Sequence, residues 1–288
     1  MANLGSRDPA PPMGADGIIG EALHKALAQT ASVSPVRRVY QDLVLPQLGA
    51  SGQLGESPGA SRGVSPADLD DFCALLSSHD VASALSYLDA AAARGVDFDG
   101  LLLGLLAGAA RRLGQEWETD QKPFADVTVG MSRLQEALQH VSMNDPTRPV
   151  YAGSRGRALL APCPGEQHNF AIMLLDCMFH RAGWDVCTLM DVSRERLGDI
   201  AASSSFDVVG LSASSRDRVE ELEETIRTVR AVSRNQNIRI VVGGVIFSDD
   251  PGLLDRVNAD AAPSDLRAAV SWAEKVIVER QPELTLSM

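Results

Sequence analysis

From residue 156 to residue 288, short apolar runs alternate with longer segments in which apolar side chains recur at helical spacing. The runs lack the apolar–polar alternation of a half-exposed strand, which is typical of strands buried on both faces. The pattern therefore predicts an α/β fold, in which helices cover both faces of a parallel sheet. Five strand–helix units fit a flavodoxin-like, doubly wound, five-stranded sheet. The strands are predicted at residues 157–161, 185–190, 207–212, 238–242 and 259–261.

Residues 67–144 have helical periodicity throughout, with breaks at Gly95, at 118–123 and at 144–146. Connections this short favour antiparallel packing of neighbouring helices, so we expect a small helical bundle before the sheet. Its helices are predicted at residues 68–77, 81–94, 99–117 and 124–141, and residues 145–155 are expected to link the bundle to the domain at 156–288.

Residues 1–66 carry Pro, Gly, Ser and Ala in irregular order. Such a composition buries too little apolar surface to offset the entropy of ordering the chain, so we expect this region to be largely flexible. Two islands, at 18–28 and 36–48, have the spacing of short amphipathic helices.

The formal net charge of −12 argues against a protein whose main task is to hold nucleic-acid phosphates, which requires a basic face. Direct binding to nucleic acid is therefore not expected. The four cysteines form no CxxC pair and no zinc-like spacing, which indicates reduced thiols in a cytoplasmic protein. The longest apolar stretch, 101–110, is too short to cross a bilayer, and the N-terminus lacks an export signal.

Polar or small residues follow three of the predicted strands. Glu166 and His168 come after the first, the serine-rich segment 212–215 after the third, and Gly243 and Gly244 after the fourth. The carboxyl ends of parallel strands share one edge, which is where open α/β folds bind ligands. Hydroxyls and bare glycines there leave a slot for a planar polar group. Taken singly, these residues are also explained as helix caps and a tight turn.

Glu166 precedes His168 by two residues, so its carboxylate can accept a hydrogen bond from one ring nitrogen of the imidazole. Such a bond fixes the tautomer and makes the other ring nitrogen a better metal ligand. The alternative is a surface histidine in a loop.

This combination resembles the cobalamin-binding Rossmann domain, whose fingerprint is Asp-x-His-x-x-Gly, then Ser-x-Leu or Ser-x-Ser, then Gly-Gly. The resemblance implies that His168 is the lower axial ligand of cobalt and that the displaced nucleotide tail enters the slot. The matching segments are Glu166-x-His168-x-x-Ala171, Ser212-x-Ser214 and Gly243-Gly244. Glu and Ala here replace the Asp and Gly of the fingerprint.

The bundle also bears on the resemblance. Many cobalamin photoreceptors and methyl carriers have a Trp followed after nine residues by Glu-His, which meet the upper face of the cofactor. Trp117 is present, but the pair here is Val127-Thr128. The resemblance then favours hydroxo- or aquocobalamin over adenosylcobalamin. Trp117 either covers the corrin ring or is a core residue of the bundle.

The segments 164–168 and 181–184, with the Trp117 segment and the N-terminal region, resemble the AerR and PpaA group of bacterial photosynthesis regulators. The resemblance implies a cobalamin-binding antirepressor, not an enzyme, that acts on a CrtJ or PpsR type repressor. Because cobalt–carbon bonds break in light, it also implies a link to light, as in a photoreceptor. We hypothesise that His24, in the N-terminal region, supplies a second imidazole above the cobalt.

Two alternatives remain open at this point. A corrinoid protein that carries methyl groups for a methyltransferase system would use the same His168. A haem-binding redox sensor on the same fold would use His168 or another histidine as its iron ligand.

Overall fold

The computed structural model describes residues 63–77, 80–145, 154–166 and 169–285. The two islands predicted at 18–28 and 36–48 lie outside the described residues, as do His24 and His168.

Helices make up the first part of the described chain. Ser65 and Asp68 start the first helix reciprocally, because the serine hydroxyl accepts from the Asp68 amide at 3.1 Å and the carboxylate accepts from the Ser65 amide at 3.0 Å. Asp80 caps the second helix by accepting from the amide of Ala82 at 3.0 Å. The four α-helices here are α1 (Pro66–Ser77), α2 (Val81–Ala93), α3 (Ala107–Glu118) and α4 (Phe124–Met143). In the part of the chain that the structure describes, no helix is both long and apolar enough to cross a membrane.

The segment predicted as one helix from residue 99 to 117 is divided in two. Gly100–Leu106 is a π-helix that runs directly into α3. It buries Leu101, Leu102, Leu105 and Leu106. The wider π turn was not foreseeable from a 3.6-residue period, because both helix types place apolar residues on one side.

The sheet contains four strands, β1 (Arg157–Pro162), β2 (Asp185–Thr188), β3 (Val208–Ser212) and β4 (Arg239–Gly243), in the order β2-β1-β3-β4. All pairings are parallel, and at the carboxyl ends Pro162 pairs with Ser212 and Ser212 pairs with Gly243. The predicted α/β class and parallel sheet are confirmed.

The prediction of a fifth strand is wrong. Residues 259–261 form a single isolated bridge, between Val241 and Ala261. Pro263 follows two residues later and has no amide hydrogen, so it cannot extend a ladder.

Asp260 fixes this shortened segment to β4. Its carboxylate accepts hydrogen bonds from the Ile240 amide at 2.7 Å, from Arg230 at 2.8 Å and from Arg239 at 3.0 Å. Burial works to raise the pKa of Asp260, but these hydrogen bonds outweigh burial and lower that pKa below its ordinary value.

Helices cover both faces of the sheet: α5 (Phe170–Arg181), α6 (Arg194–Ser203), α7 (Val219–Val232), α8 (Val245–Asp249), α9 (Leu253–Val257) and α10 (Leu266–Thr285). Successive residues of β1 enter opposite cores, since Leu160 packs with α5, α10 and the helices before the sheet, whereas Leu159 packs with α6, α7 and α9. The sheet is therefore buried on both faces, which explains its continuous apolar runs.

The helices before the sheet are tied to it through Asp99. Its carboxylate accepts from Arg267 of α10 at 3.0 Å and lies 3.5 Å from Arg181 of α5. The Arg181 guanidinium also stacks over the ring of Phe98, 4.5 Å from its centroid.

Candidate functional site at the carboxyl edge of the sheet

The carboxyl ends of β1, β3 and β4 are joined one residue beyond the strands. The Cys163 amide donates to the Ser212 carbonyl at 2.8 Å, and the Ala213 amide donates to the Gly243 carbonyl at 3.0 Å. The loops that follow these strands therefore start side by side. The structure brings together five of the predicted site residues at this edge: Glu166, Ser212, Ser214, Gly243 and Gly244.

A tight turn places Glu166 at this edge. Gly165 has a φ of 79°, which favours glycine, and the Glu166 amide donates back to the Cys163 carbonyl at 2.9 Å. One oxygen of the Glu166 carboxylate accepts from the Ser214 amide at 3.1 Å and also from the Ser214 hydroxyl. Both side chains are buried, with 6% and 1% exposed, so a charge-assisted link joins the loop after β1 to the loop after β3.

Sequence reasoning missed this link. It assigned Glu166 to the His168 imidazole, and that pairing lies outside the described residues. It assigned Ser214 to a ligand, but the hydroxyl proton is donated to Glu166, so Ser214 is left able to accept a hydrogen bond. A carboxylate and a hydroxyl at the ends of neighbouring predicted strands were the available signal.

Ser212 differs from Ser214 in a decisive way. It ends β3 with 5% of its surface exposed, and its Oγ is buried without a hydrogen-bond partner in the described structure. A buried hydroxyl without a partner costs free energy, and Ser212 can both donate a hydrogen bond to a polar group and accept one from it.

The two glycines at the end of β4 serve different purposes. Gly244 has a φ of 123°, and a Cβ there would lie 1.8 Å from the carbonyl oxygen of Ala213, so only glycine is accommodated. Gly243 pairs with Ser212, and a Cβ built on it would meet no atom within 4 Å. Open space thus lies beside Gly243, next in register to the unpartnered hydroxyl. This arrangement fits a polar group that slides between the strand ends.

Trp117 lies on α3 in the helical part of the larger core, with 8% of its surface exposed. Its ring is 6.4 Å from that of Phe124, measured between centroids. Val127 is buried in the same core, and the Thr128 hydroxyl donates to the Phe124 carbonyl at 2.9 Å. The positions of the expected Glu-His pair therefore hold one core residue and one locally bonded hydroxyl.

Cys163 follows β1 and is fully buried. Burial, with a smaller contribution from the Glu221 carboxylate, raises the pKa of the Cys163 thiol to about 12. The thiol is thus protonated at neutral pH and suits neither nucleophilic attack nor metal binding. Among the described residues, no three His, Cys, Asp or Glu side chains lie close enough together to hold a metal ion.

Comparison with known proteins agrees with this site. Residues 156–265 match the family described as the B12 binding domain. Over 163 residues the chain is 30% identical to the "uncharacterized 20.5 kDa protein in bchF-crtJ intergenic region" of Rhodobacter capsulatus, an alignment that covers 57% of this chain and 84% of that protein. The chain is a cobalamin-binding-domain protein of the same family.

The monomethylamine corrinoid protein of Methanosarcina barkeri has a similar fold. The two structures superpose with a TM-score of 0.63 and 16% sequence identity, over 74% of this cobalamin-binding-domain protein and 100% of the other chain. At this identity the similarity establishes the fold alone, an α/β fold with a parallel sheet and helices.

Proposed function

We propose that this protein binds cobalamin at the carboxyl edge of its sheet and uses the bound cofactor to regulate a transcriptional repressor. The proposal of cobalamin binding rests on the buried hydroxyl of Ser212, which has no partner in the described structure and lies beside the open space at Gly243. A nucleotide tail that enters between the ends of β3 and β4 supplies the missing hydrogen-bond partner for Ser212.

His168 is the proposed lower axial ligand. It stands two residues after Glu166 in the sequence, and in this proposal the Glu166 carboxylate orients its imidazole. The link from Glu166 to Ser214 then holds that carboxylate in place and connects the ligand loop to the loop after β3. Cobalamin, when bound, would supply a cobalt centre whose axial ligands exchange. Light breaks the cobalt–carbon bond of alkylcobalamins, so a protein that selects the photolysed hydroxo or aquo form would respond to light indirectly.

The proposed upper face is simpler than that of the methyl carriers. Val127 and Thr128 offer neither a carboxylate nor an imidazole, which suits hydroxo- or aquocobalamin better than adenosylcobalamin. In this proposal Trp117 packs over the corrin ring from the helical side, and His24 reaches the upper face from the N-terminal region.

The regulatory half of the proposal rests on the family relationship. The name of the Rhodobacter capsulatus relative places it between bchF and crtJ. This placement supports the resemblance to the AerR and PpaA group and a CrtJ or PpsR type repressor as the partner. We propose that the protein is a cytoplasmic antirepressor linked to light and not an enzyme. It acts by contact with the repressor, without binding DNA or a membrane.

An absorption spectrum tests the cofactor and its ligand. The protein is incubated with hydroxocobalamin and desalted, and the wild type is compared with His168→Ala and with His180→Ala as a matched control. His180 lies on α5, 3.6 Å from the Asp176 carboxylate, and has no proposed role in binding. We expect the wild type and His180→Ala to retain a spectrum shifted from that of the free cofactor. His168→Ala should lose the shift.

Other outcomes assign other functions. A wild type that leaves the column colourless contradicts cobalamin binding. Iron in the purified protein with a haem spectrum indicates the redox sensor. Transfer of a methyl group to a thiol from protein loaded with methylcobalamin instead indicates a methyl carrier. A His24→Ala protein with an unchanged spectrum removes His24 from the upper face.

The repressor contact has its own test. A CrtJ or PpsR type repressor is bound to its promoter DNA, and the fraction bound is measured as cobalamin-loaded wild type is added. Release of DNA by the loaded wild type, but not by the loaded-and-desalted His168→Ala protein, supports the antirepressor. DNA retention at all concentrations contradicts it.

A further inference from the structure

Arg218 lies at the same edge of the sheet but was not singled out by the sequence patterns. It ends the short 3-10 turn Arg216–Arg218, directly before α7. Its Nη1 lies 2.7 Å from the position that a Cβ on Gly165 would occupy. The guanidinium is therefore packed against the turn that leads to Glu166, and a Cβ on Gly165 would force it to shift.

The charge of Arg218 is not compensated within the described structure. The side chain of this partly buried arginine makes neither an ion pair nor a hydrogen bond with any residue that the structure describes. Among the described arginines and lysines, the others of which this is true are all exposed to solvent, namely Arg196, Arg256 and Lys275. Solvent satisfies those exposed cations, whereas a partly buried cation without a counterion is costly.

The neighbours of Arg218 already have partners. Arg216 pairs with Asp250 at 3.1 Å, and Arg194 is held by Glu221 at 3.1 Å and Glu224 at 3.3 Å. Within the described residues, carboxylates thus pair with Arg216 and Arg194 but not with Arg218. Together with the unpartnered hydroxyl of Ser212 on the same edge, this points to an anionic group that comes from a ligand.

We propose that Arg218 binds the phosphodiester of the nucleotide tail and thereby selects corrinoids with a complete tail. This inference rests on the proposed function. The phosphodiester is the anionic group of the tail, and the planar guanidinium matches two phosphate oxygens at once. In this arrangement Ser212 and Arg218 recognise different parts of the tail, and neither contacts the corrin ring.

A comparison of two corrinoids tests the inference. Wild type, Arg218→Gln and Arg256→Gln are titrated with aquocobalamin and with diaquocobinamide, which lacks the phosphodiester and the nucleotide, and binding is followed by absorbance. We expect Arg218→Gln to weaken aquocobalamin binding about tenfold and to leave cobinamide binding unchanged, since only the former offers an anion. Arg256→Gln, which removes an exposed cation, should match the wild type for both.

Two further measurements keep the test decisive. Arg218→Lys retains the positive charge but not the planar guanidinium, so its affinity for aquocobalamin should lie between those of wild type and Arg218→Gln. Raising the salt concentration should reduce the advantage of aquocobalamin in the wild type more than in Arg218→Gln. Equal loss of both corrinoids in the Arg218 variants, or no loss of either, overturns the role of Arg218 while cobalamin binding itself stands. If the wild type binds neither corrinoid, the proposed function fails as well.

Discussion

Two buried serines separated by one residue, Ser212 and Ser214, allow a matched test of how the site is built. Ser214 donates to the buried Glu166 carboxylate, whereas the hydroxyl of Ser212 is buried without a partner in the described structure. Replacing each by alanine removes one oxygen from the same edge of the sheet. The two substitutions should nevertheless have opposite consequences, because only one of the oxygens is bonded within the protein.

The magnitudes follow from the two environments. Ser214→Ala removes the hydroxyl hydrogen bond to the buried Glu166 carboxylate, which should lower the free energy of unfolding by about 2 kcal/mol. Ser212→Ala removes a desolvated hydroxyl that gains nothing in the cofactor-free protein, so the free energy of unfolding should stay the same or rise by up to about 1 kcal/mol.

Urea unfolding of the cofactor-free proteins, followed by circular dichroism, measures both changes from the unfolding midpoints. Titration with aquocobalamin then measures the affinity of Ser212→Ala for the cofactor, which should fall although its stability does not. Loss of the proposed bond to the tail should weaken binding about fivefold to tenfold in Ser212→Ala, although that protein is at least as stable as the wild type. A Ser212→Ala protein that loses as much stability as Ser214→Ala, or that binds aquocobalamin with unchanged affinity, would refute the reasoning.

Two further predictions concern groups with shifted pKa values. The pKa of Asp260 is lowered in the folded protein, because its hydrogen bonds outweigh burial, so its contribution is complete above the ordinary pKa of 3.8 and is lost as pH falls through the lower folded value. Asp260→Asn should therefore lower the urea midpoint at neutral pH, and the difference from the wild type should shrink below pH 3.8; an equal difference at both pH values contradicts this. Burial raises the pKa of the Cys163 thiol to about 12, so Cys163 should resist alkylation in the native protein, whereas the partly exposed Cys187 should react first. Mass spectrometry of the modified peptides measures the labelling of each cysteine. Equal labelling of the two would contradict the burial of Cys163.

The α/β class and the edge that holds the candidate site could be predicted from the sequence, because both depend on local patterns of apolar residues. A strand buried on both faces is apolar at successive positions, as Ala158 to Ala161 are, and a helix repeats every 3.6 residues. Because parallel strands end at one edge, the residues after β1, β3 and β4 had to lie near one another once the sheet was recognised. The fifth strand failed because residues 259–261 form only one bridge to β4, between Val241 and Ala261.

The sequence by itself determined that Glu166, Ser212 and Gly243 lie at the carboxyl edge, since that depends on where each apolar run stops, but it did not single out Arg218. Only the tertiary structure decided how they are paired. Glu166 and Ser214 are 48 residues apart, and Arg218 meets Gly165 from a different loop. Such partners depend on distances of a few ångströms between separate segments, which no local periodicity contains. For the same reason, two similar serines have different roles, one bonded inside the protein and one left for the ligand.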